Sequence, residues 1–64
     1  MKQRKLLRHL RRHGCRFLRE GGDHTLWINP ANGAIQPIPR HTEVAVRLAR
    51  HICRQLNIDP PSEK

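Results

Sequence analysis

Glycine and proline divide this 64-residue chain into pieces with few structural choices. Residues 2–13 and 43–56 contain neither. The stretch between them is cut at Gly14, Gly21-Gly22, Pro30, Gly33, Pro37 and Pro39. Both residues are poor in helix interiors, so helices are confined to the two ends. The centre is left with segments of strand length.

The first piece reads as an amphipathic helix over residues 2–13. At 100° per residue, Leu6, Leu7 and Leu10 fall within one sector of about 100°. Arg4, Lys5, Arg8, Arg11 and Arg12 occupy the opposite side. Gly14 stands where a helix-ending glycine belongs. Residues 15–20 predict a short strand that Gly21-Gly22 breaks. Residues 24–29, HTLWIN, form the best strand, with His24, Leu26 and Ile28 on one face and Thr25 and Trp27 on the other. Pro30-Ala31-Asn32-Gly33 is a turn. Residues 34–38 supply a third strand, which Pro37 and Pro39 restrict to an edge or to irregular pairing. A second helix is expected over 43–56, N-capped by Thr42, with Glu43 at the positive end of its dipole. Its apolar face holds Val44, Ala45, Leu48, Ala49, Ile52 and Leu56. Arg47, Arg50 and Arg54 lie opposite, and Asn57 ends the helix.

This order predicts an α+β fold, α-β-β-β-α. It is a two-layer sandwich like a double-stranded-RNA-binding domain, with two helices on one face of a three-stranded antiparallel sheet. Leu6, Leu7, Leu10, Phe17, Leu48 and Ile52 are the expected core. One domain is expected over 1–58, with 59–64 a flexible C-terminal tail. So short a chain buries only about 60% of its unfolded surface, so a partner that covers apolar surface would help it.

The formal charge is +8 and is unevenly spread. Residues 1–20 hold eight Lys/Arg against one acid, a net +7, while residues 21–39 hold only Asp23. Such a block attracts a polyanion, which nucleic acid or an acidic protein could supply. With one Phe, one Trp and no Tyr, the apolar face lacks the aromatics of a membrane-surface helix. No run of about 18 apolar residues is present, so no membrane span is expected. The basic start has no apolar h-region behind it and is not read as a secretory signal.

Cys15 and Cys53 form no CxxC, and His51 and Cys53 are two apart and diverge on a helix. No metal site is expected. The two cysteines read as buried free thiols in a reducing cytoplasm. Among the five histidines, His9 and His51 lie beside arginines on solvated faces, and His13 in the last helical turn suits the dipole. His24 differs. It follows Gly21-Gly22-Asp23 where a strand begins, and glycines let backbone approach a ligand and leave N–H groups free for phosphate. An imidazole there suits acid–base work on a phosphodiester. His41, after Pro39-Arg40, is a second candidate. With no carboxylate pair, nucleophile motif or phosphate loop, an enzyme would rely on His and Arg. On the residues alone, a turn histidine with no catalytic role stays open.

Several blocks together resemble the HicA family, the mRNA interferase toxins of bacterial HicA–HicB toxin–antitoxin pairs. They are the basic leucine-bearing helix ending in Gly14, then Cys15-Arg16-Phe17-Leu18-Arg19 and Gly22-Asp23-His24-Thr25. Leu26-Trp27-Ile28-Asn29-Pro30, Ile38-Pro39-Arg40-His41 and Ile52-Cys53-Arg54-Gln55-Leu56-Asn57-Ile58 follow. The similarity covers about residues 3–58. Where the family usually reads Gly-Ser-His-His, this chain has Asp23 for the serine and Thr25 for the second histidine, which leaves His24 as the match to the catalytic histidine.

The resemblance implies a double-stranded-RNA-binding-like fold turned nuclease. It implies an endoribonuclease that cleaves mRNA without metal or cofactor and is neutralised by a HicB-like antitoxin covering the active site. His24 would be catalytic. Gly21, Gly22, Arg4, Lys5, Arg8, Arg11, Arg12, Arg40 and His41 are the expected RNA-binding residues. A non-catalytic RNA-binding module, an inactive toxin homologue and a structural partner of an acidic protein are the other readings. If the basic face of the first helix binds phosphates, Arg8→Ala with Arg12→Ala should weaken binding to every RNA alike. The salt slope should fall by roughly 0.7 per lost contact on single strands, read from affinities at several salt concentrations.

Overall fold

Trp27, in the middle of the central strand, is buried at 2% exposure, and the other elements are arranged around it. The computed structural model describes residues 1–61. The order is α1 (Gln3–Arg12), β1 (Arg16–Gly21), β2 (His24–Asn29), β3 (Ala34–Pro39) and α2 (Val46–Gln55). The sheet is antiparallel with strand order β1-β2-β3. The expected α-β-β-β-α layout is therefore the one found, with β2 over its expected range and the other elements shifted by a few residues at most.

Pairing register sets the two faces of the sheet. Trp27 lies opposite Phe17 and Gln36, and Thr25 opposite Ile38. This is the covered face, because Trp27 and Ile38 are buried with Leu6, Leu10, Ala49, Ile52, Cys53 and Leu56. The rings of Trp27 and Phe17 meet edge-on with centroids 6.2 Å apart, and the Arg11 guanidinium lies 5.1 Å above the Trp27 ring. The Trp27 Nε1–H donates to the Thr25 hydroxyl at 3.2 Å, so this large side chain leaves no buried polar atom unpaired.

Both helices end in the same way. After α1, the Gly14 N–H donates to the Arg11 carbonyl and the Cys15 N–H to the Leu10 carbonyl, with Gly14 at φ +86°. After α2, Asn57 at φ +62° and Ile58 repeat the pattern onto Arg54 and Cys53. These are Schellman motifs, and Gly14 and Asn57 are the stops expected for them. The β2–β3 turn adds a tertiary cap. The Asn29 and Asn32 side-chain amides both donate to the Leu56 carbonyl, at 2.8 and 3.2 Å.

The start of α2 departs from expectation. Thr42 does not cap it, and Glu43, Val44 and Ala45 precede it. Val46 is its first residue and Ala45 its N-cap, with no side-chain cap bond. Residues 42–44 are drawn instead into a short antiparallel clasp with the chain start. Val44 N–H donates to the Met1 carbonyl, Gln3 N–H to the Thr42 carbonyl, and Lys2 pairs with Glu43. The Lys2 ammonium, 3.1 Å from Glu43, holds that carboxyl below the usual range. Three-dimensional pairing satisfies these backbone groups better than a frayed first turn would.

The core also needs correction. Leu6, Leu10 and Ile52 are fully buried as expected, and Leu7 is half-buried against the core. Phe17 is 49% exposed and Leu48 40%. The buried stripe of α2 runs through Ala49, Ile52 and Cys53 and on to Leu56 just past the helix, so the helix is turned away from Leu48. Leu48 lines an open groove of about 700 Å³ with Ala45, Arg47, His51 and Arg54. A broad apolar arc does not reveal which of its edges meets the sheet. Cys15 and Cys53 are buried free thiols, and burial, with the neighbouring Cys15, pushes Cys53 up to about 11. Asp59 meets His9 Nε2 through its carbonyl at 2.7 Å and Pro61 is buried, while residues 62–64 of the expected tail lie outside the described residues. Replacing Leu10 by Ala should cost about 2–5 kcal/mol in denaturant unfolding. Leu48→Ala should cost less than half as much, because its side chain already meets solvent.

Candidate functional site

The β1–β2 turn is a two-residue connection, Gly22-Asp23, closed by the pair Gly21 and His24. So short a loop requires unusual backbone at its first position, and Gly22 has φ +70° while Asp23 stays at negative φ. Gly21 has a different reason to be glycine. A Cβ there would sit 3.3 Å from Leu26 Cγ, tighter than a side chain comfortably allows. Neither the Gly22 nor the Asp23 N–H has a backbone partner among the described residues.

His24 opens β2 and is exposed. Strand alternation places it with Leu26 and Ile28 on the open face, the side without helices, opposite Pro39 on β3. Arg16 and Arg19 share that face through their partners Ile28 and Leu26. Arg40, just past β3, bends back onto the turn. Its Nε donates to the Gly22 carbonyl at 3.2 Å, and its guanidinium pairs with Glu20. Glu20 was not a sequence candidate, although it is the only acid among the first twenty residues.

Gly21, Gly22, His24 and Arg40 therefore gather at one end of the sheet, and the exposed His41 follows Arg40 directly. Asp23 makes no hydrogen bond to His24 among the described residues. Arg4 joins Arg40 across a depression of about 250 Å³ that Lys2, Gln3 and Thr42 complete. Lys5, Arg8, Arg11 and Arg12 are exposed along α1 and do not line it. Arg11 is engaged over the Trp27 ring, and Trp27 itself packs inside rather than waiting for a base. The sequence reading took Thr42 only as a helix cap and gave Lys2 no role, because only the clasp between residues 1–3 and 42–44 brings them to Arg40.

Among the described residues no group of three or more His, Cys, Asp or Glu side chains is placed to hold a metal ion. No described helix is long and apolar enough to cross a membrane. Compared with known families, residues 4–58 match the HicA toxin of bacterial toxin–antitoxin. The chain belongs to the HicA toxin family. No curated protein and no solved structure matches it. As a HicA toxin it is the toxin half of a toxin–antitoxin pair, and the matched span includes the three strands, α2 and all of α1 but Gln3, together with His24 and Arg40. Gly22→Ala should destabilise the protein by about 1–2 kcal/mol, because the substituted residue would have to hold positive φ. Thermal unfolding would measure the loss.

Proposed function

We propose that this HicA toxin is an endoribonuclease that cleaves mRNA in the cytoplasm, with His24 as its catalytic histidine. The observation that carries the reading is the position of His24. It is an exposed imidazole at the head of the central strand, beside a turn with free N–H groups and an arginine held against that turn. His24 removes the proton of a ribose 2′-hydroxyl. That oxygen bonds to the adjacent phosphorus, and the bond from phosphorus to the 5′-oxygen breaks. The 5′-oxygen takes up a proton from His41 or water. The products are a 2′,3′-cyclic phosphate and a 5′-hydroxyl end, so no metal or cofactor is required.

Arg40 and the N–H groups of the Gly22-Asp23 turn are close enough to the His24 end of the sheet to steady the charge that builds on the phosphorane oxygens. Single-stranded RNA suits the site because it exposes its 2′-hydroxyls and lets the backbone bend over a sheet end. Arg4, Lys5, Arg8, Arg11 and Arg12 add sequence-independent attraction along α1. A HicB-like antitoxin neutralises the toxin by covering His24. The +8 charge favours an acidic surface on that partner and an association rate that falls with added salt.

His24→Ala should reduce cleavage of a single-stranded RNA by about 10²–10⁴-fold, the usual contribution of a positioned acid–base group. Its fold should be retained, since the side chain is exposed and makes no hydrogen bond among the described residues. Wild-type cleavage should proceed unchanged in EDTA. Full cleavage by a folded His24→Ala protein would leave a non-catalytic RNA-binding role as the better account.

A further inference from the structure

The depression beside Arg40 is built by parts of the chain that are far apart in sequence. Lys2, Gln3 and Arg4 come from the start of α1, and Arg40 and Thr42 from the segment after β3. Hydrogen bonds and ion pairs tie the walls together. Gln3 donates through its backbone N–H to the Thr42 carbonyl at 2.8 Å and through its side-chain amide to the Pro39 carbonyl at 2.9 Å. Lys2 is oriented by Glu43 and Arg40 by Glu20. Three cations thus line an open depression of about 250 Å³, roomy enough for a small polar group.

The charge balance points to an anion. Glu20 pairs with Arg40, Glu43 is shared between Lys2 and the Met1 ammonium, and Arg4 has no ion-pair partner among the described residues. With that ammonium counted, four positive groups face two carboxylates, an excess of +2. Such an excess suits a phosphodiester, which brings one negative charge. The exposed Thr42 hydroxyl makes no hydrogen bond among the described residues and is available to a phosphate oxygen. Arg is suited to such a group because its fork meets two oxygens at once.

Place in the fold supplies the rest. Arg40 lines this depression and also donates to the Gly22 carbonyl of the turn that leads into His24. His24 stands on the open face of the sheet, and the depression lies against α1 at the same end. We propose that the depression is a subsite for a phosphodiester flanking the one that is cleaved. A single strand of RNA would then cross the Gly22-Asp23 turn, with its reacting phosphate at His24 and a neighbouring one between Lys2, Arg4 and Thr42. This assignment of the ligand rests on the nuclease reading. It gives that reading a substrate requirement, that the strand extend beyond the scissile bond on the side that reaches the depression.

The test measures binding apart from cleavage. In a His24→Ala background, the affinity for a single-stranded pentanucleotide RNA is compared with and without Lys2→Gln and Arg4→Gln together. A control pair, Arg47→Gln with Arg50→Gln, removes the same charge from α2. The Lys2/Arg4 pair should weaken binding about tenfold, as expected for lost charge-assisted phosphate contacts, and the control should change it less than about twofold. Thr42→Glu leaves the Lys2–Glu43 pair intact and puts a carboxylate into the cavity. It should weaken binding at least as much, and it serves as the test if the double variant does not fold. An equal loss in both pairs would reduce the depression to general basic charge and overturn the proposal, as would no loss in either. Inorganic phosphate is the second arm. If it shifts the Thr42 amide in NMR spectra while the pentanucleotide does not, the site takes a free anion and the RNA assignment fails. Wild-type protein that binds RNA through this depression but never cleaves it would refute the nuclease reading alone. Wild-type cleavage with no effect of the variants on affinity would refute the subsite alone.

Discussion

The burial of one indole decides which way the central strand faces. Trp27 is the largest apolar side chain in the molecule and has to be covered by the helices. Side chains alternate along a strand, so every odd position of β2 goes in with it and every even position comes out. His24 is three residues away and therefore lies on the open face. A slip of one residue in pairing would bury the imidazole and expose the indole. The Thr25 hydroxyl, Phe17 on β1 and Arg11 on α1 all meet Trp27 and oppose that slip.

The same small core explains why the polar contacts matter here. Among the described residues ten make up the buried apolar cluster, and two of them are cysteines. With so little area to bury, helix ends and loops are fixed by hydrogen bonds that a larger domain could spare. Asn29 and Asn32 hold the Leu56 carbonyl just past α2, and the clasp between residues 1–3 and 42–44 holds the start of α1. Both devices join one end of the chain to its middle. The clasp has a consequence for chemistry, because it brings Lys2, Arg4 and Thr42 to the side of Arg40.

Much of the candidate site was legible in the chain because its parts are close in sequence. Gly21, Gly22 and His24 fall within four residues, and a two-residue hairpin leaves them no choice of neighbourhood. Arg40 could be proposed from its place after β3, but not its bond to the Gly22 carbonyl. Glu20 was unreadable as its partner, since nothing in a linear pattern pairs position 20 with position 40. Phe17 was misjudged for a related reason. It lies on the covered side of β1, but β1 is an edge strand whose residues are all exposed, so half of the ring meets solvent.

The amino-acid sequence by itself determined the elements and where each helix stops. Glycine and proline exclude regular helix from the centre, leucine spacing makes α1 amphipathic, and Gly14 and Asn57 accept the positive φ that stops each helix. These are short-range effects, decided by sterics and by hydrogen bonds within a few residues. Only the tertiary structure decided which edge of α2 is buried, that Thr42 joins a clasp instead of capping a helix, and which basic side chains share a cavity. Each depends on groups some forty residues apart competing for the same backbone partners or the same apolar surface. That competition is settled when the sheet and helices pack, because only then is the cost of an unpaired group or an uncovered side chain set by its neighbours.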